Sequence, residues 1–154
     1  ALATAGLTAG PAAARVEPAL ECAGEFTTAA SGLQFCDCTI GTGAEPSKGQ
    51  EIRAHYTGRL MDGRVFDSSY TRGQPLQFKV GTRQVIAGWD EGILGGEGIP
   101  PMKVGGKRVL IVPANMAYGE RGAGGGLIPP GATLKFDVEL CEPPQRIGFS
   151  NSYR

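Results

Sequence analysis

The segment from Phe66 to Trp89 holds the residues of this chain whose types and spacing could form a chemical site. It combines large apolar side chains with one carboxylate and the single tryptophan of the chain, and it contains no nucleophile–base pair and no metal-ligand cluster. Such a composition predicts a pocket that recognises a compact apolar group and acts on it by excluding water. The segment reads Phe66-Asp67-Ser68-Ser69, Leu76-x-Phe78-x-Val80-Gly81 and Val85-Ile86-x-Gly88-Trp89.

Length and charge limit the classes of protein to which the chain can belong. Its 154 residues suffice for one domain with a buried core. The formal net charge is zero, so no electrostatic attraction favours nucleic acid, a membrane surface or an acidic substrate. No apolar run approaches the ~20 residues of a membrane-spanning helix. We therefore expect no nucleic-acid partner and no membrane span.

The cysteines and the histidine argue against a metal site. No C-x-x-C motif occurs, and His55 is the only histidine, so a zinc site is disfavoured, because four good ligands cannot be assembled without carboxylates. We expect no metal and no cofactor. One or two disulfides in an oxidising compartment are the better interpretation of the cysteines, and four cysteines allow three pairings. The four are Cys22, Cys36, Cys38 and Cys141.

Apolar residues alternate with polar ones along several short stretches. This period of two, seen at 52–60, 76–80 and 134–140, predicts strands with one buried face, and 107–112 is a further candidate. Helical spacing replaces it from Gln84 to Leu94. The pattern predicts an α+β domain, an antiparallel sheet of about five strands with one short helix against its apolar face.

The two ends of the chain differ from this pattern. Residues 1–20 are alanine-rich and have no lasting period, and Ala12-Ala13-Ala14 before Arg15 fits the small-residue cleavage site of a targeting sequence. A flexible N-terminal arm is the equal alternative. We predict a folded domain over residues 21–142, followed by a C-terminal tail over 143–154.

Six segments, in one order from about residue 33 to residue 141, resemble the FKBP-type (macrolide-binding) peptidyl-prolyl cis–trans isomerases. They have family-like spacing, and although any one of them would be a weak signal, six in register are specific. The segments are Gly49-Gln50 through His55-Tyr56-Thr57-Gly58, Gly63-x-Val65-Phe66-Asp67-Ser68-Ser69, Val85-Ile86-x-Gly88-Trp89, Ala117-Tyr118-Gly119, Ile128-Pro129-Pro130 and Phe136-Asp137-Val138-Glu139-Leu140.

This resemblance implies a sheet half-wrapped around the helix, with the pocket between them. Trp89 would form the pocket floor, and Tyr118 would offer a hydroxyl at the rim. The implied catalytic residues are Tyr56, Phe66, Asp67, Trp89 and Tyr118. The implied substrate-binding residues are Arg72, Leu76, Val85, Ile86, Leu127, Ile128 and Phe136.

Three departures from the family pattern concern the pocket and its surroundings. Leu76 stands where an aromatic residue is common, so that wall should be smaller. The loop 122–126 lacks a histidine that some members carry, which would alter sequence preference. Residues 95–101 form an insertion that looks like that of the plant and algal thylakoid-lumen members.

The lumenal resemblance also bears on the cysteines. It places a disulfide between Cys22 and Cys36. A bond between Cys38 and Cys141 is doubtful. In the family topology another strand lies between the two strands that carry these cysteines, which would place them roughly 9–10 Å apart, and a disulfide can bridge only ~7 Å. The resemblance implies the chloroplast thylakoid lumen as the compartment, with another secretory or oxidising compartment as the alternative.

The activity that the resemblance implies is isomerisation of X-Pro bonds. The partners would be proline-containing protein clients, macrolides would be candidate ligands, and the protein would act as a monomer without a cofactor. One alternative is a weakly catalytic binding module or chaperone for a lumenal assembly partner. Another is a redox sensor with a reducible bridge.

Overall fold

The computed structural model describes Cys22 and residues 24–142. The predicted N-terminal arm at 1–20 and the predicted tail at 143–154 lie outside these residues. None of the helices in the described part of the chain is long and apolar enough to cross a bilayer.

The strands of the described chain form one antiparallel sheet. The order across it is β1-β2-β6-β7-β3-β4, with β5 paired to β3 beyond the end of β4. The strands are β1 (Thr27–Thr28), β2 (Gln34–Thr39), β3 (Glu51–Leu60), β4 (Val65–Ser68), β5 (Leu76–Lys79), β6 (Lys107–Val112) and β7 (Leu134–Cys141).

The centre of the sheet is the pairing of β3 with β7. The register runs from Arg53 opposite Cys141 to Leu60 opposite Leu134, and β6 covers the other edge of β7. Alternate residues of these three strands are buried on one face, as the period of two predicted.

Two α-helices are present in the described residues. Helix α1 (Ser69–Arg72) is a single turn capped by the Ser68 side chain, which accepts a hydrogen bond from the Tyr70 N–H. Helix α2 (Ala87–Leu94) is the predicted one, but it begins three residues later than Gln84. The reason is that Ile86 is extended and forms the N-cap, which leaves Val85 and Ile86 in the preceding loop.

Two glycines set the distance between α2 and the sheet. A Cβ on Gly88 would lie 2.5 Å from Cγ1 of Val112, and a Cβ on Gly92 would lie 2.7 Å from a methyl carbon of Leu110. Both partners are fully buried on β6. The helix can therefore lie closer to the sheet than any side chain at these two positions would allow.

These observations confirm the predicted fold class, an antiparallel sheet around a short helix. Seven strands are found among the described residues instead of about five, because β3 pairs separately with β4 and β5 and because β1 adds a two-residue edge.

The predicted disulfide between Cys22 and Cys36 is present. Cys38 and Cys141 are free. Strand β6 lies between β2, which carries Cys38, and β7, which ends at Cys141, and this is the separation that made a bond between them doubtful.

Replacement of Gly88 by alanine should destabilise the protein. In an exposed helix this change normally stabilises by about 0.5–1 kcal/mol. Here the added methyl group meets the stiff side chain of Val112, so we expect a net loss of about 1–3 kcal/mol in the free energy of unfolding. Urea denaturation measures it. The matched control is Ala87→Ser, on the exposed side of the same turn, which should change stability by less than about 0.5 kcal/mol. A stabilised Gly88→Ala variant would contradict the assigned packing.

Candidate active site

An open cavity of about 210 Å³ lies between α2 and the sheet. Trp89, 3% exposed, forms its floor. Nine of the predicted site residues line it, together with Gln84, which the sequence reasoning did not select. The lining residues are Tyr56, Phe66, Asp67, Leu76, Gln84, Val85, Ile86, Trp89, Tyr118 and Phe136.

Four aromatic rings of the cavity pack edge to face. The ring centroids of Tyr56 and Trp89 are 4.8 Å apart with the planes at 81°, and those of Trp89 and Phe136 are 5.4 Å apart at 87°. Phe66 meets Phe136 in the same way, at 5.6 Å and 88°. This geometry is favourable by about 0.5–1.5 kcal/mol per pair beyond burial. The rings thus brace one another around the cavity without filling it.

The floor of the cavity offers little hydrogen bonding. The indole N–H of Trp89 is buried and has no acceptor among the described residues. Leaving a buried donor unpaired costs about 1–3 kcal/mol. A group that enters the cavity meets aromatic surface there.

The polar groups lie at one side of the cavity and are paired with one another. The Tyr56 hydroxyl donates a hydrogen bond to the Asp67 carboxylate and accepts one from Arg72 at 2.8 Å. Arg72 also donates to the other Asp67 oxygen at 2.6 Å, as does the Ser68 N–H at 2.9 Å. Arg72 does not line the cavity itself, but its charge is held beside it.

This pairing fixes the charge states of the group. Burial, together with the hydrogen bond to Asp67, raises the pKa of Tyr56 to about 12. Burial alone would raise the pKa of Asp67, but hydrogen bonds from Tyr56 and Arg72 outweigh it, so the pKa of Asp67 is lowered. At neutral pH the tyrosine is neutral and the aspartate is ionised.

Tyr118 lies at the rim of the cavity and is 40% exposed. Burial of part of the side chain and the negative charge of Asp67 raise the pKa of Tyr118. Its hydroxyl therefore remains a hydrogen-bond donor at neutral pH.

Local structure explains how these side chains converge. A Cβ on Gly58 would lie 2.6 Å from the Phe66 ring and 2.8 Å from the Phe136 ring, so the glycine admits both rings over β3. The buried Ser69 hydroxyl accepts a hydrogen bond from the Tyr56 N–H at 2.8 Å, which ties α1 to the middle of β3.

The loop before α2 is held by the helix itself. Asp90 accepts hydrogen bonds from the N–H groups of Gly81 and Arg83, at 2.7 and 3.0 Å. Arg83 has the left-handed φ of 68°, which a non-glycine residue adopts only when its surroundings enforce it. The loop that carries Val85 and Ile86 is fixed at the cavity in this way. Gln84 also lines the cavity, and its position next to Val85 was the sequence feature that could have identified it. Its side-chain oxygen accepts a hydrogen bond from the Lys79 N–H.

Leu127 and Ile128, like Arg72, are predicted site residues that do not line the cavity. Leu127 is 49% exposed, and Ile128 is buried and pairs with Ala123 in a two-residue bridge. Contact of these residues with a client at the mouth stays a prediction.

A second cavity, of about 220 Å³, lies beside β2 and the insertion. The buried Arg108 guanidinium there binds both oxygens of Asp37 and the carbonyls of Gly92 and Pro100. All of these bonds are internal, so we assign this cavity no chemistry. They clamp the insertion to the end of α2 and to β2.

Comparison with known proteins identifies the class to which this fold and site belong. The family model for the FKBP-type peptidyl-prolyl cis–trans isomerase matches residues 43–141. The chain belongs to this family, and the prediction made from the sequence motifs is confirmed.

Two plant proteins and one solved structure are among the relatives to which the chain is similar. The chain is 59% identical over 119 residues to peptidyl-prolyl cis–trans isomerase FKBP13, chloroplastic, of Arabidopsis thaliana, covering 75% of this chain and 57% of that protein. It is 50% identical over 122 residues to photosynthetic NDH subunit of lumenal location 4, chloroplastic, of the same plant, covering 77% and 56%. The chain thus spans just over half the length of each. The crystal structure of AtFKBP13 superimposes with a TM-score of 0.75 at 56% identity, over 78% of this chain and 99% of that one.

The lowered pKa of Asp67 predicts how stability depends on pH. An aspartate with a depressed folded-state pKa stabilises the fold above its unfolded value of about 3.9, and this contribution is lost as the pH falls through the folded-state value. The difference in unfolding free energy between the wild type and Asp67→Asn should therefore be largest at pH 6–8 and shrink below pH 4. Urea denaturation from pH 3 to 8 measures it. A difference that stays constant over this range would contradict the assigned ion pair.

Proposed function

We propose that the protein is a peptidyl-prolyl cis–trans isomerase that accelerates rotation about X-Pro bonds in protein clients. The observation that carries this proposal is the open, aromatic-lined cavity beside Trp89, in a chain that belongs to the isomerase family. The reaction needs no bond to be broken, and the cavity supplies what such a reaction does need, a dry site that fits a prolyl ring.

The proposed catalysis works through the environment of the imide bond. Rotation meets a barrier of ~18–20 kcal/mol, because the planar amide is stabilised by resonance. The planar form also has the larger dipole, so water stabilises it more than the twisted transition state. Seating the prolyl ring on Trp89, between Tyr56 and Phe66, removes that water and favours the twisted form. Each ~1.4 kcal/mol gained in this way is a tenfold increase in rate.

Hydrogen bonds at the rim would orient the substrate. The Tyr118 hydroxyl and the backbone N–H of Ile86, both from residues that line the cavity, are the proposed donors to the carbonyls that flank the proline. The Tyr56–Asp67–Arg72 group keeps its own charges paired, so Asp67 presents a fixed negative field at the wall and does not exchange a proton.

We further propose that the protein acts as a monomer in the thylakoid lumen, with macrolides as competing ligands. Two observations support the lumenal assignment. The relatives with 59% and 50% identity carry chloroplastic and lumenal names, and the Cys22–Cys36 disulfide suits an oxidising compartment. Another oxidising compartment is the alternative.

Truncation of Phe66 should remove most of the activity. We expect Phe66→Ala to lower kcat/KM on X-Pro peptides by at least tenfold, because the cavity loses a wall and admits water. A protease-coupled assay measures this, with circular dichroism to show that the variant is folded. Met61→Ala is the matched control, because Met61 is 56% exposed in the same hairpin and away from the cavity. Wild-type protein with no activity above the uncatalysed rate would instead favour the binding module, and full activity in Phe66→Ala would overturn the site.

Macrolide binding can be followed through the single tryptophan. Because Trp89 forms the cavity floor, a macrolide that enters should change its fluorescence and inhibit isomerisation with the same midpoint concentration. Leu76→Phe should shift both midpoints together, since Leu76 lines the same cavity. Inhibition without a fluorescence change would place the macrolide elsewhere.

A further inference from the structure

Three sulfur atoms lie together at the edge of the sheet. Cys22 is bonded to Cys36, and the free Sγ of Cys38 lies 3.5 Å from the Sγ of Cys22. Cys36 and Cys38 are two residues apart on β2, and although the register of β2 against β6 shifts at Cys38, the sulfur atoms of both residues lie next to the Sγ of Cys22. Cys22 can therefore reach either of them with little movement of the backbone.

We propose that Cys22, Cys36 and Cys38 form a thiol–disulfide exchange site, in which Cys22 passes its bond between Cys36 and Cys38. A thiolate attacks one sulfur of a disulfide and displaces the other sulfur as a thiolate. The separation of 3.5 Å between attacking and attacked atoms is at the upper end of the near-attack range of about 3–3.5 Å.

The exchange is balanced within the protein. The Cys38 thiol loses its proton, and the thiolate attacks the Sγ of Cys22. A Cys22–Cys38 bond forms as the Cys22–Cys36 bond breaks, and the electron pair of the broken bond leaves with the Sγ of Cys36. Cys36 then takes up a proton. One disulfide and one thiol are present before and after, so no oxidant or reductant is required.

The surroundings accommodate both states. The carbonyl of Gly24 lies 3.6 Å from the Sγ of Cys36 and can accept a hydrogen bond from the thiol that the exchange releases there. The segment from Cys22 meets the sheet at β1, where Thr27 pairs with Phe35. That pairing keeps Cys22 near β2 in either state, while residues 24–26 lie outside the strands.

Charges around Cys38 set the rate of exchange. Burial raises the pKa of its thiol, as do the negative charges of Asp137 on β7 and Asp37 on β2, while Lys107 on β6 and Lys135 on β7 act in the opposite direction. Since the thiolate is the attacking species, exchange should be slow at neutral pH and should accelerate as the pH rises.

The test uses the full chain with Cys141→Ser, which leaves Cys38 as the single thiol. The folded protein is held without reductant or denaturant from pH 6 to 9.5, quenched in acid, alkylated at acidic pH and digested with pepsin. Fragment masses show which cysteine carries the label. We expect the label on Cys38 at the start and an increasing share on Cys36 with time. The rate should rise with pH and be independent of protein concentration.

A second variant tests the product state directly. Cys36→Ser should form the Cys22–Cys38 disulfide in a glutathione redox buffer and keep the wild-type circular dichroism spectrum. If it does not fold, the labelling time course decides alone. A label that stays on Cys38 for days at pH 9.5, or transfer whose rate grows with protein concentration, would overturn the proposal.

Discussion

The close approach of α2 to the sheet is the constraint on which the remaining structure depends. Gly88 and Gly92 lie one helical turn apart and face Val112 and Leu110 of β6 at distances that leave no room for a methyl group. Trp89 follows Gly88 directly, so the separation between helix and sheet also sets the depth of its indole. A helix held further out by side chains would raise the floor of the cavity and separate Trp89 from the rings that brace it.

The distribution of polar groups follows from the same geometry. The floor is formed by an indole whose N–H has no acceptor among the described residues, whereas Tyr56, Asp67 and Arg72 are joined at the wall by hydrogen bonds and an ion pair. An unpaired charge at the floor would be costly to desolvate, and paired charges at a partly exposed wall are not. The site is therefore apolar where a ring would sit and polar where a peptide backbone would pass.

Much of the fold could be predicted from periodicity, because a period of two records which face of a strand is buried. The strand predicted at 107–112 has these bounds, and those predicted at 52–60 and 134–140 are each one residue longer. The start of the helix was predicted too early because Val85 and Ile86 have helical spacing with the apolar residues that follow. In the structure they precede the helix and line the cavity. One part of the strand pairing could not be predicted from the sequence. Strand β3 pairs with β4 along one half and with β5 along the other, and this division depends on contacts between residues distant in sequence.

The sequence alone determined the buried faces and the family motifs, because these depend on residue type and local spacing. Through the resemblance that the motifs carry, it also gave nine of the ten side chains around the cavity. The tertiary structure alone decided the distances between elements. Judged from the sequence, Gly88 and Gly92 only weaken a helix, but in the structure they form its contact with β6. Cys38 was a cysteine without an assigned partner, and packing places it beside Cys22. The physical reason is that the distance between a helix and a sheet depends on how their side chains pack. These side chains come from distant parts of the chain, so no local sequence pattern encodes the distance.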